Sequence, residues 1–411
     1  MVIRASAAVL AGFLLHAAWP GSAIAQGAST AADSAAASLT PPAVVPASTP
    51  PDFPRGRISG YMFGDAYYNA DGDPTHVYSA AGADAGQPNV DGVKNITKDL
   101  NGAQFRRIYF QLDNDLSVRV ATRFRLEVDG RNTTTADGRL GVFVKNAYVQ
   151  AKSVVPRGDV LFGMLSTPTF ENSEEFWQYR SIEKTIADFR GVASSSDLGL
   201  ELKGFLDGAH RIGYSAMVGD GTGQRPEADR FKRWYLSLPL RLGDLRIEPY
   251  ADYQPVRVTP NLTAPAEPES VAVANDQATW KIFAGYELRR LALGVEAFDR
   301  VLHRAGVNNL EPRGLSMFAR GMLTPTLNAY ARADLYQPDV NATKRVDSWL
   351  WIAGLDWTPF RDGAWQPLKD VHVMPNVEAV RYQSKGGAVA PAHGDLQARL
   401  TLYYRFSRPQ S

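Results

Sequence analysis

From residue 57 onward the sequence alternates apolar and polar side chains with period two, and the polar positions are charged. Residues 117–129 show this most clearly. Val118, Val120, Thr122, Phe124, Leu126 and Val128 fall on one face, and Arg119, Ala121, Arg123, Arg125, Glu127 and Asp129 on the other. A strand sends successive side chains to opposite faces, so such a segment is greasy on one side and ionic on the other. Residues 104–113 repeat the pattern, with Ile108, Phe110 and Leu112 set against Arg107, Tyr109, Gln111 and Asp113. So do 232–242, 245–254, 279–289 and 327–336. The final run, 396–406, sets Leu396, Ala398, Leu400, Leu402, Tyr404 and Phe406 against Gln397, Arg399, Thr401, Tyr403 and Arg405.

A soluble sandwich alternates in the same way with its polar face outward. Two features favour a membrane barrel instead. The runs span 9–12 residues, longer than the usual strand of about 5–6. Tilted strands of that length match the hydrocarbon thickness of a bilayer. The polar faces also carry Arg beside Glu and Asp in repeated rows, which suits a wet lumen.

The connections alternate too. Short ones are expected at 113–116, 156–159, 207–210, 243–244, 289–291 and 324–326, with a longer one at 358–370. Long ones are expected at 70–102, 130–140, 166–196, 220–230, 255–277, 302–312, 338–345 and 384–394. Together they imply an all-β protein: an antiparallel transmembrane β-barrel of about 16 strands, the asymmetry of an outer-membrane barrel. That strand number leaves room for an aqueous channel, and an even count puts both ends of the barrel on the periplasmic side.

The N-terminal region reads differently. Arg4 is the only charge in the first 32 residues, and an apolar stretch from Ala7 to Ala18 precedes Pro20-Gly21 and the small-x-small triplet Ala23-Ile24-Ala25. These are the parts of a Sec signal peptide, 1–25. Residues 26–56 are mostly Ala, Ser, Thr and Pro without hydrophobic period and read as a disordered leader. The barrel is expected over 57–406, with a tail at 407–411. Lys+Arg 44 against Asp+Glu 43 gives a net charge of +1, which disfavours a nucleic-acid binder working through bulk charge. With no Cys there is no disulfide framework, thiolate metal site or Cys nucleophile. After the signal no apolar run approaches the ~18 residues of a membrane helix.

Aromatic residues Tyr67, Tyr68, Trp234, Tyr253, Trp280, Tyr286, Trp349, Trp351, Trp357, Tyr404 and Phe406 fall near strand ends or on the apolar face, as interfacial belts do. Phe162-Gly163-Met164 through Pro168, then Glu174, Arg180-Ser181, Phe189-Arg190-Gly191 and Asp197-Leu198-Gly199, with the start Ile58-Ser59-Gly60-Tyr61 and Asp65-Tyr67, resemble the phosphate-selective porin O and P family. The specific motif covers about 162–200. The chain departs from the usual ending of such proteins, since Ser407–Ser411 follow the aromatic Phe406. The resemblance implies a trimer whose third long loop, here 166–196, folds inward as a constriction. Independently, residues 171–186 lack β alternation and place Phe176, Trp177 and Ile182 at helical spacing, which predicts a short helix. An external covering loop is the other reading.

A channel discriminates by the charges lining its narrow zone. Arg107, Arg119, Arg123 and Arg125 are expected to point inward as an anion-contacting ladder, since guanidinium forks suit carboxylate and phosphate oxygens. Structural ion pairs with Asp113, Glu127 and Asp129 are the competing role. The constriction loop carries Glu171, Glu174, Glu175, Glu183 and Asp188 against Arg180, Lys184 and Arg190. Acids on the loop facing arginines on the wall would give a transverse field rather than strict phosphate selection.

Other motifs are weaker. Asn69-Ala70-Asp71-Gly72-Asp73 contains Ca²⁺-type ligands but reads better as a strand-ending turn. Gly219-Asp220-Gly221-Thr222-Gly223 lacks the Lys-Ser/Thr of a phosphate loop. His76, His210, His303, His372 and His393 show no recognisable Ser and acid partners. The expected function is therefore an outer-membrane porin: a passive, water-filled homotrimeric channel for small hydrophilic solutes and ions, with a mild anion preference as the finer expectation. It has outer-membrane lipid around it, no nucleic-acid partner, no cofactor, no metal and no enzymatic step. A plugged barrel with a binding or structural role, and a barrel hydrolase, are the alternatives.

Overall fold

A computed structural model describes residues 52–74, 96–129, 140–227, 229–258, 273–304, 308–361, 365 and 368–409. The expected signal peptide and the leader through residue 51 lie outside them, as does His76. Sixteen strands close in chain order into an antiparallel barrel. They are β1 Arg55–Asp71, β2 Asn101–Asp115, β3 Val120–Asp129, β4 Val142–Val155, β5 Gly158–Ser166, β6 Ser196–Phe205, β7 Gly213–Gly219 and β8 Arg233–Ser237 with its continuation Leu240–Leu242. There follow β9 Leu245–Gln254, β10 Gln277–Glu287, β11 Leu291–Leu302, β12 Arg313–Thr324, β13 Leu327–Gln337, β14 Arg345–Trp357, β15 Val371–Lys385 and β16 Asp395–Pro409. Closure is the pairing of β1 with β16, from Arg57↔Pro409 to Asp71↔Leu396. A two-residue ribbon, Arg257–Val258 with Val273–Ala274, stands apart from the barrel sheet.

The period-two pattern explains the wall. Trp280 is 64% exposed while its neighbour Lys281 is 4% exposed. Trp234, Phe162, Leu293 and Met317 are likewise exposed, whereas Glu248, Glu296, Arg332 and Asp334 are buried. The apolar face is thus the outer one and the ionic face the inner one, the reverse of a soluble sandwich. Both expected classes of connection are present, and the 16-strand count holds.

Three details differ from expectation. β1 begins at Arg55, which pairs with Asp115 of β2, and β16 runs through Pro409, which pairs with Arg57 of β1. The wall therefore includes two residues assigned to the leader and most of the expected tail. The expected strand 232–242 is interrupted after Ser237, where Pro239 has no N–H to give to a ladder. The expected helix over 171–186 is instead two pieces, α1 Glu171–Trp177 and α2 Ile186–Phe189. Gln178, in the left-handed region at φ 65°, ends α1.

Two bulges matter for the inner face. Arg107 pairs with Phe63 while Phe105 pairs with Gly64, so Arg106 is an extra residue in β2. Arg125 pairs with Asn146 while Leu126 pairs with Val144, so Lys145 is extra in β4. A bulge sets two consecutive residues on one side. Arg106 is buried beside half-buried Arg107, and Lys145 is buried beside Asn146.

Among the described residues, most buried apolar side chains form two clusters, each including residues of the β5–β6 connection. One gathers Phe170, Ile186, Ala187 and Val192 against Leu161, Met217, Tyr235, Tyr250 and Phe298. The other gathers Phe176, Trp177, Tyr179 and Ile182 against Phe283, Phe318, Tyr330, Leu350 and Met374.

Candidate functional site: the barrel's ionic face and residues 167–195

The backbone of the β5–β6 connection is held by arginines from six strands. Arg106 of β2 donates to the carbonyls of Ser181 at 3.1 Å and Ile182 at 2.5 Å. Arg399 of β16 donates to that same Ile182 carbonyl at 3.1 Å. Arg332 of β13 donates to Lys184 O. Arg320 of β12 reaches Phe176 O at 3.1 Å, Arg300 of β11 reaches Gly191 O at 3.1 Å, and Arg233 of β8 reaches Val192 O at 3.0 Å. A guanidinium presents five donors in a planar fork, so one group can hold a carbonyl and a carboxylate together. Most of these do so: Arg332 with Asp334, Arg233 with Asp252, Arg399 with Glu378, Arg320 with Glu287, and Arg106 with Asp65 and Glu183 at 3.5 Å each. Their charge is therefore neutralised by the wall and the segment they hold.

Arg180 ties the segment to itself and to β2. Its Nε meets both oxygens of Glu174 at 2.7 and 2.8 Å, its Nη2 meets Asp188 at 3.0 Å, and its Nη1 donates to the Tyr109 hydroxyl at 3.3 Å. Lys184 also pairs with Asp188 at 3.0 Å. Burial pushes the Glu174 carboxyl up to about 7, against the pull of Arg180 and with help from the Asp188 charge beside it. Burial also pushes on Asp188, but Lys184 and Arg180 outweigh it and hold that carboxyl well below the usual range. Burial brings Arg190 down to about 10. Its guanidinium lies 4.1 Å from the Tyr336 ring centroid and donates to Ser348.

Of the four arginines expected to form the ladder, Arg107 lies on β2, Arg123 and Arg125 on β3, and Arg119 in the turn between these strands. Arg107 pairs with Glu127 and, at 2.9 Å, with Asp129. Arg123 pairs with Asp113 at 2.6 Å and stands 5.8 Å from the Tyr148 ring. Arg125 donates to Gln111 at 2.5 Å and stands 6.0 Å from the Tyr109 ring; among the described residues no carboxylate pairs with it. Arg119 does not belong to the ladder. It is exposed in the turn before β3, where Leu116 and Ser117 donate to Val120 O and the Ser117 hydroxyl accepts from the N–H groups of Arg119 and Val120. The alternation continued into this turn without being strand.

Across from the clamped backbone, Arg123, Tyr148 of β4 and half-buried Lys203 of β6 share electrostatic neighbours with Glu171 of α1. Glu175 of α1 pairs with Arg246 at 3.1 Å, and buried Glu183 meets Arg106. Arg106 and Lys145 were missed by the sequence reading. Lys145 pairs with Glu127 at 3.1 Å and donates to Ser195 at 2.5 Å. Both lie at bulges, and two consecutive polar residues, Arg106-Arg107 and Lys145-Asn146, are the signal that could have found them.

The glycine-rich 219–223 segment is filled by the protein itself: the Asp197 carboxylate accepts from the N–H groups of Gly221 at 2.8 Å and Gly223 at 3.1 Å. In the 69–73 turn, Asp71 accepts from the Gly72 N–H and pairs with Arg381 at 3.4 Å. His372 bonds Asp356 at 2.7 Å, and His393 stands 3.6 Å from Asp395.

No family model and no curated protein sequence matches the chain. Solved structures do. The outer membrane channel DcaP of Acinetobacter baumannii aligns with a TM-score of 0.58 at 13% identity, over 85% of this chain and 97% of that one. The barrel has the porin fold. An anion-selective porin from Comamonas acidovorans aligns at 0.55 and 13% identity over 85% and 99%. OmpT of Vibrio cholerae, in its trimer form, aligns at 0.53 and 12% over 86% and 100%. At such identities the likeness establishes the fold.

Proposed function

We propose that this chain is an outer-membrane porin: a passive, water-filled channel for small hydrophilic solutes, narrowed by residues 167–195 lying within the lumen and mildly preferring anions. One observation carries the reading. Arginines of β2, β8, β11, β12, β13 and β16 bond the carbonyls of 176–192, while Arg123 of β3 and Lys203 of β6 are electrostatic neighbours of Glu171. A segment seated against one side of an ionic lumen leaves an eyelet at the other. Charges of opposite sign across that eyelet give the transverse field expected of a general porin.

The outer apolar face supports a lipid surround in the outer membrane. The homotrimer is part of the proposal and is supported by the trimeric neighbour. So is the affinity to phosphate-selective porins, which rests on the motif at 162–200. Diffusion needs no bond-making chemistry, so the reading includes the absence of an enzymatic step.

Swelling of liposomes containing the purified protein tests this. Arabinose should enter quickly and raffinose slowly. No entry of either sugar would favour a plugged barrel, and equal entry would contradict a lumen narrowed by 167–195.

A further inference from the structure

A cavity of about 720 Å³ is lined by Arg180 and Tyr179, by the β10–β11 turn, by Tyr61 and Phe63 of β1 and by Tyr403 and Arg405 of β16. One wall is aromatic. The Tyr61 and Tyr403 rings lie 5.9 Å apart, and Phe63 lies 6.4 Å from each of them. The other side carries Arg289 and Arg290 of the turn and Arg405 of β16, all exposed and lining the same space. Among the described residues none of these three guanidiniums has a carboxylate partner. Of the acids lining the cavity, Glu174 pairs with Arg180, Glu287 with Arg320 and Arg246, and Glu175 with Arg246, while Asp356 bonds His372 at 2.7 Å and accepts from the Tyr179 hydroxyl at 3.3 Å. The cavity thus offers three guanidiniums without carboxylate partners beside the partly exposed rings of Tyr61 and Tyr403, with Phe63 buried behind them.

Inorganic phosphate would use the charge and leave the rings idle. A small aliphatic acid would do the same. A planar ring bearing a carboxylate uses both, since the ring stacks on tyrosine faces and the carboxylate takes a guanidinium fork. The volume falls in the range of small-molecule sites, about 300–1,000 Å³. We infer that this vestibule is a binding station for aryl carboxylates, which sets the substrate class of the channel. The inference rests on the porin reading for its consequence, but binding itself is measurable without conduction.

The test is calorimetric titration of the full-length protein in detergent with benzoate, acetate and phosphate. Benzoate should bind at least ten-fold more tightly than either of the others. Arg289→Ser/Arg290→Ser/Arg405→Ser should lose at least ten-fold in benzoate affinity. These side chains are exposed, so the barrel should assemble, which heat-modifiable migration verifies. Tyr61→Leu/Tyr403→Leu should erase the preference for benzoate over acetate. Equal binding of benzoate, acetate and phosphate, or benzoate binding unchanged in the arginine variant, overturns the inference. Chloride conductance without benzoate binding leaves the porin reading standing and removes this one. Benzoate binding without conductance does the reverse.

Discussion

The Nη1 of Arg106 lies 2.5 Å from the carbonyl oxygen of Ile182, joining an extra residue in the wall to the middle of the β5–β6 connection. The same guanidinium stands 3.5 Å from Asp65 and from Glu183, both buried. Arg106→Ala removes the anchor and strands two acids. Breaking a buried charged pair from one side costs about 3–5 kcal/mol. The variant should unfold at lower denaturant and show a larger single-channel conductance. Unchanged conductance would mean that the clamp does not set the eyelet.

Glu174 should make ion selectivity depend on pH. With its carboxyl pushed up to about 7, it is anionic above that value and neutral below it. Arg180, Asp188, Lys184 and Tyr109 surround it. Acidification from pH 8 to 6 removes one negative charge beside Arg180 and should raise the preference for chloride over potassium. Glu174→Gln should show the acid-side selectivity at both pH values. A wild-type reversal potential that stays flat across this range would contradict the assignment.

Gly163 of β5 sits at φ +131°, and a Cβ there would lie 2.3 Å from the Ala147 carbonyl oxygen and 2.8 Å from Tyr148 Cα. Both contacts are backbone and cannot swing away. Gly163→Ala should therefore destabilise the barrel by about 2 kcal/mol or more, read as a shift in the urea midpoint of refolding. The glycine that the sequence motif singled out is needed for close approach at the residue facing Arg123.

Trp177 is fully buried, with its ring 5.2 Å from Phe318 and 6.0 Å from Tyr330. Its Nε1 donates to Glu183 O at 2.9 Å. Trp177→Ala should cost about 3–5 kcal/mol and expose 167–195 to protease. Digestion no faster than wild type would show that this contact does not hold the segment.

The wall was legible because lipid and lumen impose opposite chemistry on alternate residues. Trp280 and Lys281 fall on opposite faces as the pattern requires. Period-two reading fails where the period breaks. Arg106 and Lys145 occupy bulges, and Arg119 occupies a turn in which the alternation persisted by composition. The arginine clamp was not legible at all. Arg233, Arg332 and Arg399 read as ordinary polar-face residues, and their target is a main-chain carbonyl, which carries no sequence signature. The helical spacing in 171–186 located a helix but not its end, since Gln178 adopts a conformation usually reserved for Gly or Asn.

Arg119 supplies the control for the ladder. It is exposed in a turn, so Arg119→Ala should leave conductance and selectivity at wild-type values. A loss of selectivity equal to that of Arg125→Ala would restore Arg119 to the permeation path.

The most direct measurement is the reversal potential of single channels in a planar bilayer under a KCl gradient, for wild type and Arg123→Ala/Arg125→Ala. Conductance with a mild preference for chloride, reduced in the variant while conductance persists, is the expected result. A wild-type protein that conducts nothing, or a preference unmoved by the two substitutions, would contradict the proposal that these arginines lie on the permeation path.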